Sequence, residues 1–339
     1  MIIGIVASGL GGPPPPDLSR QIVWARAGGN GGFIRPVANG GYLPADTFSI
    51  TSSLDGGVFT KHPTDPNLIA ASTGSGFQFY RRSGTIWSPV AMTGINRSNV
   101  NDYKWSPDGK AFVIARSTSP WFILYSVDGD TYTHKTSGLN LLSSSQRAIA
   151  WRNNQQFTMI GGSPRLGLYE WDGDVTVTQV TSSQLADVTS MNMAWWSSTG
   201  TQLIGSANGT RPWIVLNLSG TTFSNANVST PGGSTGDQTF MSQPKRYNAG
   251  DVYGDYFVMR KMNSTVYVVR RSGSSWSYQT VPEATNPTGQ LSWDNSGQFF
   301  ALSKTDAPYY HYFQKVDEEY VSVRPSTSPI LTVSTMCIL

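Results

Sequence analysis

The chain has 339 residues, of which 13% are charged, and its formal net charge is +3. The charged fraction is low, because average globular proteins carry roughly 25% charged residues. No run of basic residues is longer than two, and the lack of a basic cluster argues against nucleic acid as a partner. A single cysteine, Cys337, excludes an intramolecular disulfide, and 38% hydrophobic residues can build a core, so we expect a fold held by burial and strand pairing.

The first sixteen residues are predicted to form an extended arm. They join an apolar, β-prone stretch, MIIGIVAS, to a GGPPPP segment that favours a semi-rigid polyproline II spacer. The stretch lacks the Lys/Arg start and the length of a secretory signal, so we expect no signal peptide and no membrane insertion. A short apolar strand on a stiff spacer suits addition to a partner's sheet edge, with packing on its own fold as the alternative. The candidate anchoring residues are Ile2, Ile3, Ile5, Val6 and Leu10.

An internal repeat of about 45 residues runs through residues 58–329. Its first marker is tryptophan: Trp105, Trp151 and Trp196 are 46 and 45 residues apart, and Trp293 follows two repeats later. Its second marker is a glycine in a predicted hairpin, with spacings of 45, 44, 47 and 53 residues: Gly84, Gly129, Gly173, Gly220 and Gly273. The regular spacing predicts that one structural unit recurs along the chain.

The best copy begins YKWSPDGKAFVIA at Tyr103 and is predicted to contain four short strands. The first strand ends near Trp105, and the others cover residues 111–116, 121–125 and 131–135. The Ser-Pro-Asp-Gly and Asp-Gly sequences between them are hairpin turn signals. Third strands such as WFILY are apolar at nearly every residue, which predicts cover on both faces, while fourth strands such as VTVTQV alternate as outer strands do.

Four-stranded units at this period are typical of a β-propeller, and the stretch WSPDGKAFVIA resembles the blade motif of WD-repeat and TolB-like propellers. A β-sandwich, the main competitor, does not explain a fixed repeat of four strands. The resemblance implies an all-β fold: a β-propeller of six to seven four-stranded blades over residues 17–339, with the extended arm of residues 1–16 added. Strand-like pieces at both ends either close a seventh blade or leave a ring of six with an added arm.

The sequence contains no recognisable catalytic constellation. Asp108, in the Ser-Pro-Asp-Gly turn, is interpreted as a turn residue, because the matching slots in other copies hold Asn154, Thr199 and Ser296. The three histidines form no His-x-His or His-x-x-x-His pair, and no calcium-loop or nucleophile-elbow motif occurs. The sequence therefore predicts no catalytic residue, no metal site and no cofactor.

Three aromatic residues that follow a hairpin glycine are candidate contacts for a glycan or a protein partner: Trp87, Tyr132 and Trp276. The alternative is that their rings pack against the neighbouring blade. The hairpin sequence SVDGDTY, from Ser126, loosely resembles the Asp-box of sialidase propellers, whose catalysis uses an arginine cluster, a tyrosine nucleophile and acids. This resemblance leaves a lectin-like or sialidase-like function open.

The chain resembles phage virion accessory proteins of the tail, collar, fibre base or head decoration. The resemblance lies in its low charge, its many turns, its apolar arm and its end segments, which could exchange as strands between chains. The resemblance implies a non-enzymatic structural or assembly protein of the virion, anchored by residues 1–16 and presenting the propeller as a contact surface. The expected partners are other virion proteins in a multi-copy symmetric assembly, and a host-surface glycan. The alternative function is a carbohydrate-binding module or a sialidase-like glycosidase.

Overall fold

The computed structural model describes residues 22–25, 30–36, 42–49, 59–73, 76–83, 86–91, 94–137, 144–162, 165–183, 191–197, 199–207, 213–226, 240–242, 256–260, 266–272, 275–281, 287–293, 299–304, 310–316, 319–323 and 335–338. Within these residues, 28 strands form seven antiparallel sheets of four strands each, and no helix occurs. Seven such sheets are the blades of a β-propeller. The predicted all-β fold, a β-propeller, is confirmed.

Blade 1 is built from both ends of the described chain. It contains β1 (Ile22–Ala25), β2 (Asn30–Pro36), β3 (Tyr42–Ser49) and β28 (Thr335–Ile338). The last strand, β28, pairs with β1, so that Cys337 lies opposite Val23. Pairing the two ends closes the ring of strands, so of the two alternatives left open by the sequence, the seventh blade is the one that forms.

The other six blades follow one another along the chain. Blade 2 contains β4 (Phe59–Lys61), β5 (Leu68–Thr73), β6 (Gly76–Ser83) and β7 (Ile86–Val90). Blade 3 contains β8 (Val100–Trp105), β9 (Ala111–Arg116), β10 (Phe122–Asp128) and β11 (Thr131–Ser137). Blade 4 contains β12 (Gln146–Trp151), β13 (Gln156–Gly161), β14 (Leu166–Trp171) and β15 (Val177–Ser183).

Blade 5 contains β16 (Met191–Trp196), β17 (Gln202–Ala207), β18 (Trp213–Ser219) and β19 (Thr222–Asn225). Blade 6 contains β20 (Phe240–Ser242), β21 (Tyr256–Arg260), β22 (Val266–Ser272) and β23 (Ser275–Val281). Blade 7 contains β24 (Pro287–Trp293), β25 (Phe299–Lys304), β26 (Tyr310–Val316) and β27 (Glu319–Val323). Each of these six sheets follows chain order from its first strand to its fourth.

The inner strand of each blade is its first strand, except in blade 1, where β28 takes that place. The strand β12 contacts β8 and β16, β4 contacts β8 and β28, and β24 contacts β20 and β28. These contacts arrange the inner strands around the central channel of the propeller. The free edges of β8, β12 and β16 therefore face the channel in blades 3 to 5, while most β12 side chains are buried between blades.

The two sequence markers of the repeat have clear structural roles. The four repeating tryptophans are the last residues of β8, β12, β16 and β24. The hairpin glycines Gly129, Gly173 and Gly220 have φ angles of 56°, 93° and 57°. Because residues that carry a Cβ rarely adopt such positive φ angles, the tight turn favours glycine at these positions.

Much of the described core lies between blades. An aromatic cluster fills the seam between blades 2 and 3: Phe77, Phe79, Tyr103, Trp105, Phe112 and Tyr132. The ring centroids of Trp105 and Phe112 are 4.9 Å apart, and those of Phe79 and Trp105 are 5.6 Å apart. Each such pair contributes about 0.5–1.5 kcal/mol beyond the apolar area that it buries. Similar apolar clusters join blade 3 to blade 4 and blade 4 to blade 5.

The turn between β8 and β9 should tolerate no side chain at Gly109. This residue has a φ of +76°, and a Cβ there would lie 2.5 Å from Cε1 of His62. We expect Gly109→Ala to lower the free energy of unfolding by about 1–2 kcal/mol for the left-handed backbone alone, and further because the ring must move. Gly129→Ala is the matched control, because its φ is +56° with nothing within 4 Å of a Cβ. Denaturant unfolding of both variants measures the difference; equal losses would show that the His62 contact contributes nothing.

Candidate functional site

Two residues of opposite charge lie together on the inner strand of blade 3. Asp102 and Lys104 are both on β8, and the Lys104 Nζ is 3.5 Å from Asp102 Oδ2. The Asp102 side chain is 10% exposed and that of Lys104 is 25% exposed. Alternate residues of a strand point to the same face, so both side chains project toward blade 4. The pair is thus placed between two blades at the channel wall.

The pair forms hydrogen bonds with backbone groups on the free edge of β12, the inner strand of blade 4. Asp102 Oδ2 accepts a hydrogen bond of 2.8 Å from the Ile149 backbone N–H, and Lys104 Nζ donates one of 2.6 Å to the Ile149 carbonyl. Nearby, Asn101 Nδ2 donates to the Gln146 carbonyl at 2.6 Å. An inner strand has no neighbour on one edge, and its buried backbone groups need partners. Side chains of β8 supply those partners to β12.

A tryptophan from blade 5 completes the cluster. Lys104 Nζ lies 5.7 Å from the ring centroid of Trp195, within the range of a cation–π interaction. Lys104 and Trp195 occupy the same slot of the repeat, one residue before the blade tryptophan. Blade 4 has the small residue Ala150 in this slot, which leaves room for the lysine to approach blade 5. We call Asp102, Lys104 and Trp195 the axial cluster.

The electrostatics of the axial cluster are set by burial. Burial raises the pKa of the Asp102 carboxyl above its ordinary value, while Lys104 and the backbone N–H groups of Ile149 and Tyr103 act in the opposite direction. Both carboxyl oxygens already accept backbone hydrogen bonds, because Oδ1 receives the Tyr103 N–H at 2.9 Å. Asp102 is therefore suited to hold Lys104 in place. The Lys104 ammonium is more exposed than the carboxylate and still has an N–H donor that could bind a ligand.

The aromatic residues predicted as ligand contacts are used in packing where their side chains are described. The Tyr132 ring is 5% exposed, and its hydroxyl accepts a 3.0 Å hydrogen bond from Trp105 Nε1. Trp276 packs edge-on against Trp213 at 5.6 Å and donates from Nε1 to Gln202 Oε1 at 3.3 Å. Tyr132 therefore has no ring face left for a glycan. Trp276 is half-buried and packs on blade 5, and its role as a ligand contact stays a prediction.

The other residues singled out in the sequence fall in two groups. Trp87 lies on β7 opposite Arg82, and its side chain is outside the described residues. The arm residues Ile2, Ile3, Ile5, Val6 and Leu10 also lie outside them, as does the whole of 1–16. Asp108 has the expected turn role: its Oδ1 accepts hydrogen bonds from the Lys110 N–H at 3.1 Å and the Ser106 hydroxyl at 2.6 Å.

The described part of the chain offers neither a metal site nor a membrane-spanning helix. No group of three or more His, Cys, Asp or Glu side chains there is arranged to hold a metal ion. Among the same residues, no helix has the length and apolar character needed to cross a bilayer. The axial cluster, with one carboxylate and one ammonium, is not a donor set for a metal ion.

The fold resembles solved structures, whereas no family model and no curated protein matches the sequence. A putative 6-phosphogluconolactonase from Bacteroides uniformis has a TM-score of 0.66 at 8% identity, covering 94% of this chain and 99% of that one. The periplasmic gluconolactonase of Pseudomonas aeruginosa has a TM-score of 0.64 at 11% identity, covering 94% and 99%. The Cps50 (Swd1) β-propeller domain of Myceliophteria thermophila has a TM-score of 0.57 at 10% identity, covering 87% and 94%. At these identities the likeness establishes the β-propeller fold.

The expected function as a non-enzymatic virion protein is wrong. Neighbours that align with almost the whole chain are named as a putative 6-phosphogluconolactonase and a gluconolactonase, which are names of enzymes. The resemblance to virion proteins, in contrast, depends only on low charge, many turns, the apolar arm and the end strands. The predicted partners, the virion location and the anchoring role of residues 1–16 stay predictions.

The axial cluster was not predicted from the sequence, although a signal was present. Three residues before the blade tryptophan, the copies have Asp102, Ala148, Met193 and Gln290. One residue before it, they have Lys104, Ala150, Trp195 and Ser292. The repeat itself does not require a charged pair in these slots, so the departure of blade 3 from its sister copies marks the site.

Proposed function

We propose that this protein is a hydrolase of sugar-acid lactones that acts at the axial cluster. The observation that carries the proposal is the ammonium of Lys104, held at the channel wall by Asp102 and lying beside the Trp195 ring. The fold likeness to proteins named as gluconolactonases supports the choice of substrate class. In the proposed reaction water adds to the lactone carbonyl carbon, the ring C–O bond breaks, and the hydroxy acid is released.

The role proposed for Lys104 is to stabilise the negative charge that develops on the carbonyl oxygen. Its 2.6 Å bond to the Ile149 carbonyl and the nearby Asp102 fix the ammonium from one side, while the 25% exposed side chain leaves its third N–H donor for a ligand. A donor that is fixed before the reaction needs no reorganisation when the charge forms. Removing one such donor typically lowers kcat by about 10²–10³-fold.

The other two members of the cluster have supporting roles in the proposal. Asp102 positions the ammonium, because its own oxygens are taken by the backbone N–H groups of Ile149 and Tyr103. Trp195 has the ammonium over its ring at 5.7 Å and packs against the apolar cluster of Ile204, Trp213 and Val215, so it also holds the ammonium in place. Together Asp102 and Trp195 would keep Lys104 where the carbonyl oxygen of a lactone can reach it.

Turnover of a lactone by the purified chain tests the proposed function. We expect release of acid from D-glucono-δ-lactone to exceed the spontaneous rate in proportion to protein concentration, and to saturate with substrate. The measurement is base uptake at constant pH, with 6-phosphogluconolactone as second substrate and p-nitrophenyl acetate as a simple-ester control. Acid release from both lactones at the spontaneous rate would contradict the proposal, as would equal acceleration of the simple ester.

A further inference from the structure

A groove of about 610 Å³ opens at the seam between blades 3 and 4, away from the axial cluster. The turn between β8 and β9 contributes Asp108 and Lys110, and the turn between β12 and β13 contributes residues 153–155. Ser126, Val127, Trp171 and Gly173 complete the lining. The volume falls in the range of about 300–1,000 Å³ that is usual for small-molecule sites. None of these residues belongs to the axial cluster.

The charge of Lys110 has no ion-pair partner in the described part of the chain, whereas one cation of blade 2 and one of blade 3 are paired. Arg81 forms ion pairs with Asp65 and Asp130, and Lys135 forms one with Asp174 at 2.8 Å. Lys110 is exposed at the turn. An exposed ammonium without a counterion attracts an anion, and groove walls raise the effect above that of a flat surface.

The remaining polar groups of the groove match hydroxyl groups of a ligand. Asn153 Oδ1 accepts hydrogen bonds from the backbone N–H groups of Gln155 at 2.9 Å and Gln156 at 2.7 Å, which leaves its amide N–H donors. Asn154 and Gln155 present exposed amides next to it. On the opposite side, the turn bonds of Asp108 use Oδ1 and leave Oδ2 as an acceptor. The groove thus combines one cation, several N–H donors and one strong acceptor.

We infer that this groove binds a small polyhydroxylated carboxylate, with its carboxylate on Lys110 and its hydroxyls on the amides and Asp108. The volume suits a small ligand, the one cation among the lining residues suits one negative charge, and the amides and the Asp108 carboxylate suit vicinal hydroxyls. The choice of a sugar acid within this class rests on the proposed function, because a sugar acid is the product of a sugar lactone. The groove is then a second site for product, separate from the reacting centre.

Calorimetric titration of the intact protein with sodium D-gluconate tests the inference. We expect saturable binding that is weakened at least about tenfold by Lys110→Met, since the variant loses a charge-assisted hydrogen bond to the ligand. Lys135→Met is the matched control, because this lysine lies in the same blade and is already paired with Asp174. Neutral D-glucose should bind more weakly than gluconate to the unchanged protein.

The axial variant Lys104→Met separates this inference from the proposed function. Gluconate binding that survives Lys104→Met and fails in Lys110→Met supports the groove, whether or not any lactone is turned over. Binding that fails in Lys104→Met and survives in Lys110→Met overturns it, because the ligand then occupies the axial cluster. An absence of saturable gluconate binding, or an equal loss in Lys135→Met, also overturns it. Circular dichroism of each variant confirms that the fold is retained.

Discussion

Asp102→Ala is expected to lower the free energy of unfolding by about 3–5 kcal/mol, the usual cost of removing one partner from a buried ion pair. The change leaves the Ile149 and Tyr103 backbone N–H groups without their acceptor, at a cost of about 1–3 kcal/mol for each buried donor. It also leaves Lys104 without its carboxylate. Because β8 and β12 are joined by these bonds, the loss falls on the seam between blades 3 and 4.

The measurement is denaturant unfolding at neutral pH, with Asp174→Ala as the matched control. Asp174 pairs with Lys135 at 2.8 Å, but its side chain is 71% exposed. Exposed ion pairs contribute about 0–1 kcal/mol, so the control should unfold close to the parent protein. Equal midpoints for the two variants would show that the buried position of Asp102 confers no special stability.

The pH dependence of the free energy of unfolding tests the environment of Asp102 in a second way. Burial raises the pKa of the Asp102 carboxyl above 3.8, so the folded chain holds this proton more tightly than the unfolded chain. The stability that this more tightly held proton contributes is fully present below pH 3.8 and is lost as the pH rises through the folded pKa. Asp102→Asn removes the titration, so its deficit against the parent protein should be largest in acid and shrink toward neutral pH. A deficit that grows with pH would mean that the folded pKa is lowered.

The propeller could be predicted from the sequence because its signals are local and repeated. The tryptophan that ends β8, and the turn that follows it, recur in other copies at nearly constant spacing. The bounds predicted for the second strand of blade 3, residues 111–116, agree with β9. The closure of blade 1 is only one of two alternatives in the sequence, because β1 and β28 are separated by almost the whole chain and no local signal joins them.

The sequence marks the candidate site only by a charged pair that is absent from the matching slots of the other copies, because the parts of the site meet only in the fold. Asp102 and Lys104 look like ordinary residues of a half-exposed strand, and their backbone partner Ile149 comes 47 and 45 residues later. Trp195 belongs to a third blade. The sequence also does not show which face of a strand is covered, and for this reason Tyr132 is a candidate contact in the sequence although its ring is buried among Phe79, Phe112 and Trp105.

Lys104→Met is expected to have the largest effect on activity. Methionine keeps the length and the apolar stem of lysine but has neither the charge nor the N–H donors. Lys104→Met also removes one partner of the buried ion pair and the donor to the Ile149 carbonyl, so the variant should unfold more easily, although Asp102 keeps its two backbone donors. Circular dichroism therefore sets a temperature at which both the variant and the parent protein are folded, and kcat is compared there. Lys135→Met is the control, since it removes a lysine whose partner, Asp174, is on the blade periphery.

The most direct measurement is the kcat for D-glucono-δ-lactone of the parent protein, Lys104→Met and Lys135→Met under one set of conditions. The proposed role of Lys104 predicts a loss of about 10²–10³-fold in Lys104→Met and an unchanged kcat in Lys135→Met. Lactone turnover by Lys104→Met at the rate of the parent protein would contradict the assignment of the reaction to the axial cluster.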